Sequence, residues 1–284
     1  MKFKIKNKSN SNNPRQKLIK KRKKRKFKTI KSLLKKQIKE KEKEKKNEIQ
    51  SQKIICDNNI ITIKVKIDEE DINQKIYLLC KNNKSVIYEG ENDYIKNLLN
   101  EGEIKIYLEE EEKKILIHNN YNIFPKKGDF NLQIKFSTII SKGFGLFSVC
   151  ENITYIDFSN FNTSLMTDFS YMFFRCYNLR DINISSFDTS KMTNMKYMFY
   201  GCQNLKEINL KSFDTTNVVD AVGLFGNCKA LVNLDISNFN FKNVKDIEYI
   251  FLGCDNLENI IVNEQLFNQI GDMLKNYNIT IIYD

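Results

Sequence analysis

Five cysteines recur at a fixed interval of 26 residues, a regularity that could serve metal binding or disulfide formation. They are Cys150, Cys176, Cys202, Cys228 and Cys254. Metal sites usually draw their ligands from C-x-x-C pairs combined with histidines or a second pair. This chain contains no C-x-x-C motif and a single histidine, His118. We therefore expect no bound metal, and we interpret the periodic cysteines as thiols buried in an apolar interior.

Disulfide formation among these cysteines is limited by the geometry that a regular repeat implies. Units stacked in parallel place equivalent residues about 4.8 Å apart, so one neighbouring pair could be oxidised. An odd number of cysteines cannot pair completely, and we predict that the periodic set is reduced. Cys56 and Cys80 lie outside that set and offer a further disulfide alternative.

Other catalytic chemistry finds little support in the sequence. The periodic part lacks the histidine that commonly activates a nucleophile, and its many acidic pairs are expected in so charged a chain. Gly143 and Gly145, in the stretch KGFGLF, are too sparse for a phosphate-binding loop. We predict no catalytic residues and no cofactor, and we expect that the protein is not an enzyme.

The same 26-residue interval extends to other residue types and defines a repeat. Phenylalanines stand three residues ahead of each periodic cysteine, at positions 147, 173, 199, 225 and 251. A strict period of this length is typical of a solenoid, in which each unit buries its apolar face against its neighbours. The repeat therefore predicts columns of identical side chains running through the interior.

Each unit combines a helical pattern with a strand pattern. Met195, Met198, Phe199 and Cys202 stand at i, i+3, i+4 and i+7, which predicts a short helix. Leu205, Ile208 and Leu210 then predict a short strand. Acceptor side chains that could cap the helix are Asp168, Asn194, Asp220 and Asp246. Asparagines that suit a left-handed turn between helix and strand are Asn152, Asn178, Asn204 and Asn256. We predict strand–turn–short helix units whose strands form a parallel sheet.

The outward positions of these strands form columns that vary in chemistry from unit to unit. Candidate partner-binding residues in the first column are Tyr155, Asp181, Glu207 and Asn233. Those in the second column are Asp157, Asn183, Asn209 and Asp235. One interpretation is a solvated sheet face without a partner, and the other is a rigid, mildly acidic and amide-rich binding surface.

Residues 187–190 and 194–212 resemble BspA-type leucine-rich repeats, whose units read roughly N-M-x-x-M-F-x-x-C-x-x-L-x-x-L-x-L-S-x-F-D-T-S. The resemblance covers about residues 139–262. It implies an α/β leucine-rich-repeat solenoid without an active site, of a kind often found on surface proteins or adhesins. Gly223, Ala230 and Phe241 depart from the pattern in the later units, where local regularity is expected to be lower.

The sequence predicts four successive parts. Residues 1–53 form a basic tail, 54–136 a small, mainly antiparallel β domain, 137–262 the solenoid and 263–284 a C-terminal cap. Strands of the β domain are predicted at residues 61–67, 75–80, 85–89, 103–108, 114–118 and 131–136, with a helix at 93–100. The cap is predicted to contain a helix at residues 263–276 and a strand at 278–283.

Residues 1–53 hold 23 Lys and Arg against 4 Glu, a net charge of +19, whereas the whole chain carries +11. The densest basic run comprises Lys20, Lys21, Arg22, Lys23, Lys24, Arg25, Lys26 and Lys28. A disordered, solubilising tail is one interpretation. Nuclear import or nucleic-acid contact and an anchor on acidic membrane are the alternatives.

For the whole chain we expect a non-enzymatic protein-interaction module that presents the strand face to a protein partner. A surface or adhesion protein, as the resemblance implies, and a scaffold tethered to nucleic acid or acidic membrane are the alternatives. No apolar run approaches the roughly 20 residues of a membrane span, and the N-terminus lacks the apolar core of a signal peptide. We therefore expect an intracellular location, in the cytoplasm or nucleus, with the cell surface as the alternative.

Overall fold

The computed structural model describes residues 59–80, 103–110, 113–117, 120–275 and 277–283. These residues form a mixed α/β structure in which strands dominate. The strands are β1 (Ile60–Ile67), β2 (Lys75–Tyr77), β3 (Ile104–Glu110), β4 (Lys113–Ile117), β5 (Tyr121–Ile123), β6 (Gly128–Phe136), β7 (Ile153–Asn160), β8 (Asp181–Asn183), β9 (Asn233–Asp235), β10 (Asn259–Val262) and β11 (Thr280–Tyr283). A short 3-10 helix spans Glu69–Asp71, and helix α1 spans Glu264–Leu274.

The largest sheet contains six strands in the order β4-β3-β6-β1-β7-β8. Its central strand β1 alternates fully buried residues (Ile61, Ile63 and Val65) with more exposed ones, which is the period of a strand with one covered face. β1 pairs antiparallel with β6 on one side and with β7 on the other. Because β7 also pairs in parallel with β8, the β-rich segment and the first repeat units share one sheet.

Most strand predictions for the segment before the repeat are confirmed. β1, β2, β3, β4 and β6 all overlap predicted ranges, whereas β5, which pairs with β2, was not predicted. The strand predicted at residues 85–89 and the helix predicted at 93–100 lie outside the described residues, as do the tail, Cys56 and His118.

Equivalent residues of successive repeat units lie next to one another. Parallel bridges join Lys142 to Asp168, Asp168 to Asn194, Asn194 to Asp220 and Asp220 to Asp246. The rings of Phe147, Phe173, Phe199, Phe225 and Phe251 form a continuous stack. Neighbouring centroids in that stack are 6.0, 5.3, 5.9 and 6.0 Å apart, and the rings are within 16° of coplanar. The predicted interior column of phenylalanines is thus confirmed.

The short helix predicted in each unit is wrong. The segment from Met195 to Cys202, like its equivalents, is a series of turns in which residues such as Tyr197 and Gly201 have φ of +51° and +77°. Backbone amides at alternate positions donate to the next unit instead of to their own segment: Phe169 to Asn194, Tyr171 to Lys196, Phe173 to Met198 and Arg175 to Tyr200, at 2.7–2.9 Å. An α-helix would need those amides for carbonyls four residues earlier in the same segment.

The acceptor side chains ahead of these segments do cap backbone amides, although the capped element is a turn. Asp168 Oδ1 accepts the amide of Ser170 at 2.9 Å, and Asn194 Oδ1 accepts that of Lys196 at 3.0 Å. Asp220 and Asp246 accept amides two residues ahead in the same way. Capping was therefore predicted correctly, and the secondary structure that follows it was not.

The asparagines placed before each strand do not adopt the left-handed conformation that we predicted. Neither Asn178 nor Asn204 is among the described residues with positive φ. Instead, the side chain of Asn204 donates to the carbonyl oxygen of Tyr177 at 2.8 Å, and that of Asn256 donates to Lys229 at 2.8 Å. These amides cross-link neighbouring units.

The parallel strands of the repeat are short and are interrupted once. β7 and β8 pair in the six-stranded sheet, and β9, β10 and β11 form a separate parallel sheet in the order β11-β10-β9. Residues 207–209, which occupy the equivalent position between β8 and β9, are not assigned to a strand. The continuous parallel sheet that we predicted is therefore broken at this unit.

The last repeat is followed by α1 and β11, as the sequence predicted. Asn263 caps α1, since its Oδ1 accepts the amide of Leu266 at 2.7 Å. Leu266, Ile270 and Leu274 bury one face of the helix. None of the helices that the structure describes is long and apolar enough to cross a bilayer.

Candidate binding face

The structure divides the predicted binding columns into two pairs of strands. Tyr155 lies opposite Asp181 and Asp157 lies opposite Asn183 across β7 and β8. Asn233 and Asp235 lie on β9, where their partners are Asn259 and Ile261 of β10. Glu207 and Asn209 fall between these pairs, in the segment that joins neither sheet.

Residues of the second column are engaged in holding the backbone turn that follows each strand. Asp157 Oδ1 accepts the amide of Ser159 at 2.9 Å and the side-chain amide of Asn183 at 2.9 Å. Asp235 Oδ1 accepts both the amide and the hydroxyl of Ser237, at 3.1 and 2.7 Å. These side chains therefore have a structural role whether or not the face binds a partner.

Two carboxylates of the first column, unlike those of the second, take no part in holding the fold. Asp181 and Glu207 are exposed, and neither forms a side-chain hydrogen bond or ion pair with a residue that the structure describes. An exposed carboxylate without an internal partner keeps its charge and its acceptor atoms available for a ligand. This pair is the part of the predicted face that is least explained by the fold.

Tyr155 stands at the start of the first column, on β7. The Nζ atom of Lys64 lies 5.1 Å from the centroid of its ring, within the range of a cation–π contact. Partial burial raises the pKa of the Tyr155 hydroxyl above its ordinary value, and the nearby carboxylates of Asp157 and Asp181 raise it further. The hydroxyl therefore stays neutral to a higher pH than that of an exposed tyrosine.

An open groove of about 360 Å³ lies at the interruption of the parallel sheet. Four predicted residues line it: Asp181, Glu207, Asn209 and Asp235. The remaining lining residues, which the sequence did not single out as partner-binding, are Ile182, Ile208, Leu210 and Lys211. Tyr155, Asp157, Asn183 and Asn233 are not among the residues lining the groove.

The groove could not be located from the sequence. The apolar pattern of Leu205, Ile208 and Leu210 matches the pattern in the neighbouring units, so nothing distinguishes this strand position from the others. Lys211 stands where the neighbouring units have Ser185 and Ser237, which is the local difference in composition.

The periodic cysteines form an interior ladder of sulfur–carbonyl contacts. The Sγ atoms of Cys176, Cys202, Cys228 and Cys254 lie 3.1, 3.2, 3.2 and 3.0 Å from the carbonyl oxygens of Phe147, Phe173, Phe199 and Phe225. Each thiol thus donates a hydrogen bond across one unit boundary. The predicted burial is confirmed for all of them except Cys254, which is partly exposed at the end of the stack.

Burial makes these thiols poor nucleophiles. It raises the pKa of Cys176 to about 12 and that of Cys254 to about 11, and it raises those of Cys202 and Cys228 well above the ordinary value. The thiolate is the form that attacks electrophiles and binds metals. Within the described part of the chain, no group of three or more His, Cys, Asp or Glu side chains is arranged to hold a metal ion.

Comparison with known proteins identifies one similarity. Residues 144–264 match the family model described as Mycoplasma protein of unknown function, DUF285. This range overlaps the segment that resembles BspA-type repeats. No curated protein matches the chain, and no solved structure matches it.

Proposed function

We propose that the protein is a non-enzymatic protein-interaction module whose repeat units form a leucine-rich-repeat solenoid and bind a protein partner through the strand face. The observation that carries this proposal is the groove of about 360 Å³, which lies on that face and is lined by four of the predicted residues. Extended faces of stacked repeats are commonly used for binding. The exposed Asp181 and Glu207 supply polar groups that the fold itself does not use.

A pull-down from native cell extract tests the proposal with the full-length chain. We expect the double variant Asp181→Lys and Glu207→Lys to recover less of at least one partner, because reversing two charges alters electrostatic complementarity. Glu248→Lys serves as the control, since Glu248 is exposed and is not among the lining residues. All variants must first show melting temperatures equal to that of the wild type.

The double variant and Glu248→Lys should differ in what they recover. Equal recovery of the same proteins by wild type, double variant and control would show that this face does not bind a partner. The solvated-face interpretation would then stand.

A second role is proposed for the basic run at residues 20–28, which carries much of the +19 charge of the tail. It would bind a polyanion, either nucleic acid or acidic lipid, through salt-sensitive contacts. Deleting residues 1–53 should abolish such binding, and undiminished binding by residues 54–284 would contradict the role. Microscopy of the tagged full-length protein would separate an intracellular location, which we favour, from the cell-surface alternative.

A further inference from the structure

The interruption of the parallel sheet leaves two sheet edges with one segment between them. β8 is one of the two outer strands of the six-stranded sheet, and β9 is an outer strand of the three-stranded sheet. At the flanking junctions the backbone bonds are present: Arg180 donates to Thr154 at 3.0 Å, and Glu258 donates to Val232 at 2.9 Å. Among the described residues, no equivalent bond joins residue 206 to Arg180 or to Val232.

The backbone of this segment consequently has unused hydrogen-bonding groups. In the described part of the chain, the amides of residues 206–210 have no hydrogen-bond partner, whereas the next amide, of Lys211, donates to Asn209 Oδ1 at 3.1 Å. Unpaired N–H and C=O groups at a sheet edge are the groups that pair with an added extended peptide. Because residues 206–210 already occupy the strand position between β8 and β9, a bound peptide would lie over the open side of this segment and reach its amides from the groove.

The residue at the floor of the groove is also less buried than the equivalent residues of the neighbouring units. Ile182 on β8 is 5% exposed and Leu234 on β9 is 1% exposed, so both are core residues. Ile208, the equivalent residue between them, is only partly buried. Its apolar surface can therefore be covered by a side chain of a bound peptide.

The charge around the groove favours a basic ligand. Asp181, Glu207 and Asp235 supply three carboxylates, and Lys211 is the one cation among the lining residues. Two of those carboxylates, Asp181 and Glu207, have no internal partner among the described residues. An anionic rim attracts lysine or arginine side chains and repels acidic ones.

We propose that this groove binds an extended, lysine- or arginine-rich segment of a partner protein. The inference rests on the proposed function and adds to it the chemistry of the partner. The main chain of the peptide would use the unpaired amides of residues 206–210, an apolar side chain would cover Ile208, and basic side chains would meet Asp181, Glu207 and Asp235.

The test measures binding of labelled peptides to the full-length protein by fluorescence anisotropy. The probe is a peptide of about six residues in which lysine alternates with valine, long enough to span the groove. Matched probes replace lysine with glutamate or with serine, and a fourth carries N-methyl groups on alternate amides. We expect the lysine probe to bind most tightly, the glutamate probe not to bind, and N-methylation to weaken binding because the main-chain bonds are lost.

Variants of the protein localise the binding. Asp181→Lys combined with Glu207→Lys should weaken the lysine probe by about tenfold or more, since two attractive contacts become repulsive. Lys211→Gln should strengthen it by removing the one repulsive cation. Glu248→Lys makes one such charge reversal outside the groove and should leave the affinity unchanged, whereas either Asp181→Lys or Glu207→Lys alone should weaken it.

Three results would overturn the inference. The first is equal binding of the lysine, serine and glutamate probes. The second is an equal loss of affinity for the lysine probe in Glu248→Lys and in the double variant. The third is a dimer of this chain that the double variant dissociates, because a second copy would then occupy the groove. If the pull-down still distinguishes the double variant from its control, the proposed function survives this failure. If the pull-down does not distinguish them, both fail.

Discussion

The turn segments and the strand segments belong to the same 26-residue units, yet they meet their neighbours differently. The turn segments form the same backbone hydrogen bonds at every junction from Gly143 to Leu252, and the phenylalanine stack beneath them is unbroken. The strand segments pair between β7 and β8 and among β9, β10 and β11, but not through residues 207–209. The turns therefore maintain the register of the units across the gap in the sheet.

Because of this difference, we expect the turn segments to determine stability and the strand segments to vary in their surface. Where amides, rings and thiols all cross the unit boundary, a lost contact is surrounded by others that resist rearrangement. Where the boundary lacks sheet hydrogen bonds, as at residues 206–210, the backbone is available for other contacts. We expect mutations in the turn columns to affect unfolding most, and mutations on the strand face to affect binding.

The largest effect is expected for Phe199→Ala. Phe199 is fully buried, with ring centroids 5.3 Å from Phe173 and 5.9 Å from Phe225. Truncation leaves a cavity in the centre of the stack, and the free energy of unfolding should fall by about 3–5 kcal/mol. Urea denaturation followed by circular dichroism measures this change. A loss below about 1 kcal/mol would mean that the stack does not carry the stability assigned to it.

Ile182→Ala and Ile208→Ala form a matched pair that compares intact and interrupted strand positions. Ile182 is nearly fully buried, so its truncation should lower the free energy of unfolding by about 2–4 kcal/mol. Ile208 is only partly buried, so its truncation should lower it by about 1 kcal/mol. The same denaturation experiment gives both values. Equal costs would show that Ile208 is as well packed as its neighbours, contrary to the difference between these units.

The prediction with the smallest effect at neutral pH concerns the buried thiols, whose titration changes stability only in alkaline solution. Burial raises the pKa of Cys176 to about 12 in the folded protein, against an ordinary value of 9.0 for an exposed thiol. The stabilising difference is fully present below pH 9 and is lost as the pH rises toward 12, because the unfolded chain releases this proton first. In that window the titration of Cys176 should lower the free energy of unfolding by about 1.4 kcal/mol per pH unit.

Comparing wild type with Cys176→Ala isolates this contribution, since the other titrating groups are common to both proteins. The variant is expected to lose stability less steeply between pH 9 and 11, measured by urea denaturation under reducing conditions. Identical slopes would mean that Cys176 is not shielded from water.

The sequence predicted the parts of the fold that depend on burial and local capping. The spacing of Phe199 and Cys202 gave the interior columns, the alternation around Ile63 gave β1, and Asn263 gave the start of α1. Each of these follows from which side chains must leave water or from one local hydrogen bond. Such features require no knowledge of the neighbouring unit.

Features that depend on hydrogen bonds between units were not predicted. The apolar spacing of Met195, Met198 and Phe199 fits a helix, but the same side chains face inward from successive turns whose amides donate to the next unit. Gly201 and Gly223, both with positive φ, were the available signal for turns. The groove depends on backbone bonds missing from one unit, and side-chain pattern carries no record of them.

The antiparallel pairing of β1 with β7 has a consequence for how the chain folds. Ile63 pairs with Ile156 across a long intervening segment, whereas each repeat unit contacts units only one period away. Closing that long loop costs more chain entropy than adding a neighbouring unit. β1 also leaves the ribosome well before β7 is made. We expect the β1–β7 closure to be the slow step of folding, after which the repeat units can add in the order of their synthesis.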